Sequence, residues 1–315
     1  MPPTSVLSAQ PMLQQYAQDA AIANVQRIAD FLSPTVEVPG MHGRFWIHDK
    51  ETPLRIPNTN RGVGGTATQV RFGDAKGSYD CEPHALDTPL DELEINEADQ
   101  NGYGSIVQER ADVIAWMGGL SHENRVLEIA TAALGAGSEV AWGANGDPVS
   151  DLNDAMFDIV KNVLGGSTTE LRMLIGADVW KRMHTHPKLL ERLPNGGTGK
   201  GKKGVKSLSL EDFGKMLALK ADANVSLSVY DAAAEGQDAN LQWTFANGIV
   251  LFAANPTPNR MDPSFMKTFR LRGHWMKLGE YEKEDGRGRV IKFDWSCDPE
   301  VANADAATLL TPSWA

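Results

Sequence analysis

The sequence of 315 residues has few cysteines and few aromatic residues, and it has no long apolar run. Cys81 and Cys297, its only cysteines, lie far apart, which indicates reduced, partly buried thiols rather than a disulfide framework. No segment approaches the roughly 20 apolar residues of a membrane helix. The N-terminus lacks the basic and apolar regions of a signal peptide. We therefore expect a soluble protein, made in a reducing cytoplasm, that has no membrane partner.

Positive charge is also scarce. The chain contains 30 Lys and Arg against 41 Asp and Glu, which gives a formal net charge of -11. Because phosphate backbones bind to cationic surfaces, an acidic chain has no general electrostatic attraction to nucleic acid. A hydrophobic content of 42% and a charged content of 23% are ordinary for globular proteins. The composition therefore indicates a folded protein and argues against a DNA-binding one.

Motifs for catalysis or cofactor binding are missing as well. The sequence contains no Gly-x-Ser-x-Gly elbow, HExxH helix or CxxC pair. The glycine-rich segment 196–203 matches a phosphate-binding loop up to Lys202, but Lys203 stands where a Mg²⁺-binding hydroxyl is needed. His184 and His186 could supply two metal ligands, yet no Cys/His cluster nearby completes the set. We predict a flexible basic surface loop at 196–203, and neither catalytic activity nor a cofactor.

The first third of the chain predicts a short helix followed by an extended segment. Apolar residues at helical spacing favour a helix over 22–32, ended by Pro34. Strand-like runs at 35–38, 44–47 and 69–72 bracket a polar, Gly/Pro-rich centre, which predicts a long hairpin. It has few core-forming residues for its length, so we expect it to pack on a partner chain or to be mobile. An ordinary surface loop is the alternative.

The clearest predicted element is a long helix over 103–135. Large apolar residues recur at every seventh position from Ile106 to Leu134, and this repeat predicts one buried stripe. Gly118 and Gly119 interrupt it, although each glycine costs about 1 kcal/mol relative to alanine within a helix. Either another backbone segment packs closely there or the helix bends at this point, and the sequence favours neither.

The remaining residues predict two further regions. Helical and strand patterns alternate over 141–264, which indicates an α/β region with its own core. Near the C-terminus, apolar residues over 291–297 alternate with polar ones, which is typical of a strand with one buried face. We predict that the turn 284–288 joins this strand to one at 269–271 in a hairpin.

Six short motifs follow one another along the chain: SYDCEPHAL (78–86), VLEIATA (126–132), WG (142–143), DPVSDL (147–152), LIGADVW (174–180) and HP (186–187). Each motif is weakly specific alone. In their order and spacing, together with the order of the segments above, they resemble the major capsid proteins of tailed phages, which share the Hong Kong 97 phage fold. The resemblance covers most of the chain.

The resemblance implies an α+β fold with a definite domain organisation. The parts it implies are an N-terminal arm 1–36, an extended loop (E-loop) region 37–80, a peripheral (P) domain formed by 81–140 and 265–315 with the spine helix 103–135, and an axial (A) domain 141–264. Trp46, Arg55, Arg61 and Arg71 are then the candidate inter-subunit contacts, and Gly118 and Gly119 are the candidate bend of the spine helix.

The resemblance also implies a function without catalysis. Copies of the chain would form the pentamers and hexamers of an icosahedral head that encloses double-stranded DNA without binding it specifically. Expected partners are a portal, a scaffolding protein encoded separately (since little chain precedes the fold) and a decoration protein. The location is the virion, after assembly in the bacterial cytoplasm. The alternatives are an encapsulin-type compartment around protein cargo, and a soluble α/β nucleotide-binding enzyme using 196–203.

Overall fold

A computed structural model describes residues 28–47, 56–70, 75–101, 105–164, 171–192, 207–233, 238–255 and 262–314. The strands are β1 Thr35–Val38, β2 His42–Trp46, β3 Lys76–Asp80, β4 Glu82–Asp91, β5 Ser138–Ala141, β6 Leu171–Ile175, β7 Asp222–Val225, β8 Val229–Asp231, β9 Leu241–Trp243, β10 Ile249–Ala253, β11 Met266–Leu271, β12 Lys277–Glu282, β13 Gly288–Val301 and β14 Ala307–Ser313. The α-helices are α1 Ala29–Leu32, α2 Glu92–Asn101, α3 Ile106–Leu134, α4 Pro148–Ile159, α5 Ala177–Met183, α6 Pro187–Glu191 and α7 Leu210–Met216.

The described chain divides into two units. The first is built from 28–43, 79–127 and 268–300, and the second from 44–78, 128–267 and 301–314. This mixture of helices and sheets confirms the predicted α+β class. None of the helices in the described ranges is both long and apolar enough to cross a membrane.

The first unit is organised around β13. This strand pairs antiparallel with β12 and with β4, and it neighbours β11, which pairs parallel with β1. The predicted alternation along β13 is confirmed, because Ile291, Phe293, Trp295 and Cys297 are all buried. Cys297 is therefore part of the core, as the sequence indicated.

The prediction of the C-terminal hairpin named the wrong partner strand. The turn after Glu282 joins β13 to β12, whereas β11, the strand at 269–271, lies on another part of the β13 ladder. In β12 only Leu278 is buried, and the other positions are half-buried or exposed. Such a polar edge strand lacks the alternation that marks a half-buried strand, which is why its sequence did not predict it.

The long helix is confirmed with the bounds of α3, but its buried face differs from the predicted stripe. Val113, one of the predicted seventh positions, is 48% exposed. A strict seven-residue repeat drifts by about 20° per heptad on a straight helix, so it leaves the buried face. The buried positions instead follow three- and four-residue steps, and half of them are Ala or Gly: Ala111, Ile114, Ala115, Gly118, Gly119, His122, Glu123, Val126, Leu127 and Ala130.

The second unit contains a sheet in the order β5-β14-β10-β6-β7. All five residues of β10 are buried, as expected for a central strand covered on both faces. Helix α4 adds Leu152 and Met156 to this core, and the helix after Ser209 adds Phe213. Ser209 caps α7, since its Oγ accepts the Asp212 N–H at 3.1 Å.

The C-terminal strand lies in this second sheet. The sequence grouped 265–315 with the P domain, whereas β14 pairs with β10 and β5. A buried strand such as β10 needs a hydrogen-bonded neighbour on each edge, because its backbone N–H and C=O groups cannot reach water. β14 is the neighbour on one edge. Trp314 follows and packs edge-on against Trp142, with ring centroids 5.8 Å apart.

Candidate assembly surfaces

The loop formed by 56–70, which we call the extended loop, exposes every one of its residues. Its ends approach each other, because Thr68 Oγ1 donates to the Asn58 carbonyl at 2.8 Å. Ile56 and Val63 are 98% and 109% exposed. Apolar side chains that the chain itself leaves in water are typical of surfaces that bind another chain.

The structure describes two of the four predicted inter-subunit residues. Arg61 is exposed in the extended loop, and Trp46 is half-buried at the end of β2. Arg55 and Arg71 lie outside the described residues. Lys76 Nζ lies 4.3 Å from the centroid of the Trp46 ring, so this tryptophan makes a cation–π contact on the adjacent strand. Trp46 therefore belongs to the strand pair, whereas Arg61 belongs to the loop.

The strand pair that carries the extended loop differs from the predicted hairpin. The returning strand is β3, not 69–72: residues 69 and 70 are not in a strand, and 71 and 72 lie outside the described residues. The Tyr79 ring covers Gly43, and the Phe45 ring covers Gly77, without room for a Cβ on either glycine. These glycines therefore specify the pairing of β2 with β3, which strand propensity did not indicate.

Gly118 and Gly119 are both buried, and α3 continues through them. A Cβ on Gly118 would collide with the Phe293 ring and would lie 3.2 Å from Trp295 Cζ3. Close approach of β13 is therefore sufficient to require glycine at position 118. This supports the packing interpretation, while a bend at these positions stays a prediction.

Replacement of Gly118 by alanine is expected to lower the free energy of unfolding by about 1–2 kcal/mol, because overpacking against Phe293 outweighs the gain of about 1 kcal/mol in helix propensity. Gly214→Ala is the matched control, since Gly214 is helical and nothing lies within 4 Å of a Cβ there. It should stabilise the chain by up to about 1 kcal/mol. Urea unfolding of unassembled subunits measures both, and equal effects would contradict the packing explanation.

Arg125, on α3, is the centre of a polar cluster that the sequence did not predict. Its Nη2 lies 2.7 Å from Glu82 Oε2, and its Nη1 lies 2.5 Å from His84 Nε2. The His84 ring stacks on Trp295 with centroids 5.2 Å apart. Burial, and then the charge of Arg125, lowers the pKa of His84. The cluster joins α3 to β4 across more than 40 residues of sequence, so no local pattern could reveal it.

His122 lies one turn before Arg125 and is only 2% exposed. Its Nδ1 lies 3.6 Å from Cys297 Sγ, and its ring packs edge-on against Trp275. Burial, followed by the charges of His84 and Arg125, lowers the pKa of His122 to about 4. The folded chain therefore holds this imidazole neutral at pH 7.

The remaining sequence candidates have local roles or lie elsewhere. His184 Nδ1 lies 3.1 Å from the Trp180 carbonyl, and His186 Nε2 lies 3.1 Å from the Gly143 carbonyl. Within the described ranges, no group of three or more His, Cys, Asp and Glu side chains could hold a metal ion. The basic loop 196–203 falls outside those ranges.

Known proteins similar to this chain include phage capsid proteins. The "Major capsid protein" of Burkholderia phage BcepMu is 23% identical over 303 residues, which cover 91% of this chain and 92% of that protein. A phage-related protein from Bordetella bronchiseptica superposes with a TM-score of 0.69 at 20% identity, covering 98% of both chains. The capsid of cyanophage P-SCSP1u gives 0.58 at 12% identity, covering 92% of this chain and 89% of that one. No protein-family model matches.

These similarities confirm the capsid-type fold that the sequence suggested. An encapsulin from Synechococcus elongatus PCC 7942 also shares it, with a TM-score of 0.53 at 10% identity over 99% of this chain and 92% of that one. The fold alone therefore does not separate a phage head from a protein compartment.

Proposed function

We propose that the chain, which has the Hong Kong 97-like fold, is the major head protein of a tailed phage and has no catalytic role. Copies of it assemble as pentamers and hexamers into an icosahedral shell around double-stranded DNA. The observation that carries the proposal is the extended loop, whose apolar side chains and one basic residue, Arg61, are all exposed. The similarity to a phage major capsid protein along nearly the whole chain supports it.

Shell formation explains why a chain would leave such a loop in water. A subunit that meets several neighbours needs many moderate contacts, each of which stays reversible during assembly. Burial of apolar surface at about 25 cal/mol per Å² accumulates when such contacts repeat over the whole shell. A loop that reaches onto a neighbour supplies contact area that a compact subunit cannot.

Charge suggests where the extended loop binds. Its segment of the sequence, 53–72, contains Arg55, Arg61 and Arg71 and no acidic residue. Helix α2 has the opposite character, with four acidic residues, no basic residue and an exposed Leu93. Because complementary potentials select partners and register, α2 of a neighbouring subunit is the surface to which we assign the loop.

The domain organisation follows the same proposal. We assign residues 1–36 to the arm, 37–80 to the E-loop region, and 81–140 and 265–315 to the P domain, with α3 as its spine helix. Residues 141–264 form the proposed A domain. The C-terminal strand β14, however, joins the sheet of the second unit. A portal, a separate scaffolding protein and a decoration protein are the proposed partners. The proposed site of assembly is the bacterial cytoplasm, and the mature location is the virion.

Electron microscopy of the purified chain, and of cells that express it, tests the proposal. We expect closed shells of uniform diameter, formed with or without a co-expressed scaffold. A chain that stays monomeric under all these conditions would overturn it. Shells that form around a protein cargo, with no portal gene nearby, would favour the encapsulin alternative.

The enzyme alternative has its own test at Lys202. If 196–203 were a nucleotide site, tight nucleoside triphosphate binding would be lost in Lys202→Ala. Such a result would contradict a purely structural role. We expect no binding by either protein.

Reversing the charge of Arg61 is expected to lower the yield of shells at least tenfold. A Glu at this position repels acidic α2 of the neighbour, and a loss of about 1.4 kcal/mol in one contact already changes an equilibrium tenfold. Lys188→Glu makes the same charge change at an exposed position of α6, away from the loop and from α2 in sequence, and should reduce the yield less than twofold. Sedimentation of assembly mixtures measures both. If Arg61→Glu assembled like the control, the extended loop would not be the contact.

A further inference from the structure

Strands β8 and β9 form a two-stranded ribbon that pairs with no other strand among the described residues. Val229 lies opposite Trp243, and Asp231 lies opposite Leu241. The Asp231 carboxylate closes the end of the ribbon by accepting two backbone N–H groups at 2.9 and 2.8 Å. Because a two-stranded ribbon alone is at best marginally stable in water, its geometry favours a further packing partner.

One face of this ribbon carries apolar side chains that are open to solvent, with the Asp231 carboxylate at its end. Side chains two positions apart on a strand share a face, so Leu241 and Trp243 stand on the same side, with Val229 opposite Trp243. Leu241 is 69% exposed and Trp243 39%, while Leu227, which precedes β8, is 64% exposed. The neighbouring position on the other face is Gln242. We call Leu227, Leu241 and Trp243 the ribbon face.

The size of the ribbon face indicates the kind of partner. Three such side chains offer on the order of 300 Å² of apolar surface, which is enough to be a functional patch. A stable pairwise complex buries roughly 800 Å² on each partner. The ribbon face is therefore too small to retain a separate protein by itself. It is large enough to add to other contacts that repeat between identical copies.

We infer that the ribbon face is a contact between copies of this chain in the assembled shell. The inference rests on the proposed function, which it extends by assigning one more interface. The apolar side chains of the ribbon face favour an apolar partner surface, and Oδ1 of Asp231, the carboxylate on this side of the ribbon, already accepts two backbone N–H groups.

Thiol labelling of two adjacent variants tests this contact. Leu241→Cys places a thiol on the ribbon face, and Gln242→Cys places one on the opposite face. Maleimide labelling is compared between free subunits and shells assembled from the purified chain alone. The native Cys81 and Cys297 add little background, because both are buried and burial raises the pKa of their thiols to about 11 and about 12.

Assembly should slow the labelling of Leu241→Cys at least tenfold and that of Gln242→Cys less than twofold. Leu241→Lys should also lower the shell yield at least tenfold, and Gln242→Lys less than twofold. If shells form and Leu241→Cys is labelled equally in both states, the ribbon face is not a contact, while the proposed function stands. A wild-type chain that never assembles overturns both. An unfolded variant would reveal itself by labelling of Cys81, and Leu227→Cys would then replace it.

Discussion

Lys267→Met is expected to lower the free energy of unfolding by about 3–5 kcal/mol, because it leaves a buried carboxylate without its counter-ion. Lys267 Nζ lies 2.9 Å from Asp262 Oδ2, and the two side chains are only 6% and 0% exposed. The same carboxylate organises the chain before β11, since its Oδ1 accepts the Ser264 N–H at 3.0 Å and the Ser264 hydroxyl at 2.6 Å. Ser264 Oγ in turn accepts the Asn255 N–H at 2.8 Å.

Urea unfolding of unassembled subunits measures this loss, and a second variant identifies its cause. In Lys267→Met/Asp262→Asn the buried charge is gone, while an amide oxygen can still accept from Ser264. The double variant should therefore recover most of the lost stability.

Lys292→Met is the matched control, because its ion pair with Asp294 at 3.3 Å is about 40% exposed on both sides. Such a pair contributes no more than about 1 kcal/mol. If the double variant were as unstable as the sum of its single changes, the ion pair would not be the cause.

Features that depend on local periodicity could be predicted from the sequence. The alternation from Ile291 to Cys297 identified the central strand of the first unit, and the apolar repeat identified α3. The face of α3 could not be assigned in this way, because small residues such as Ala111 are buried there and Gly118 lies directly against the Phe293 ring. The size of the side chains on this face of α3 decides how closely β13 can approach. A hydrophobic pattern does not contain this information.

Features that depend on distant partners could not be predicted. β12 and β14 are strands because of the ladders that they join, and their own sequences are too polar or too short to indicate it. Lys267 lies within a strand and its charge suggests exposure, yet Asp262 retains it in the core. The candidate assembly surfaces were predictable in part, because the extended loop is unusual in composition, whereas the ribbon face depends on the pairing of β8 with β9.

Lowering the pH from 7 to 4 is expected to destabilise the folded chain through His122 by on the order of 3 kcal/mol. The ordinary pKa of histidine is near 6.5, and burial lowers that of His122 to about 4 in the folded state. Above pH 6.5 the imidazole is neutral in both states, so it contributes no pH dependence. Between pH 6.5 and 4 the unfolded chain binds a proton that the folded chain does not, and stability falls as the pH falls.

Other groups oppose this trend, so a difference between variants is needed to isolate it. Burial raises the pKa of Asp298 and Glu300, and a carboxyl with a raised pKa in the folded state stabilises that state as the pH falls. In His122→Gln the histidine contribution is absent. The stability advantage of the wild type over His122→Gln should therefore shrink by on the order of 3 kcal/mol between pH 7 and pH 4.

Asp298→Asn is the control of opposite sign. An amide can still accept the Asp80 N–H that Asp298 Oδ2 accepts at 2.7 Å, but it cannot titrate. Relative to this variant, the wild type should gain stability as the pH falls through the raised pKa of Asp298. Urea unfolding at pH 7, 6, 5 and 4 measures both differences. If the difference for His122→Gln stayed constant, the imidazole would take up its proton without unfolding the core around Cys297 and Trp275. The acid sensitivity of the first unit would then have to come from its surface charges.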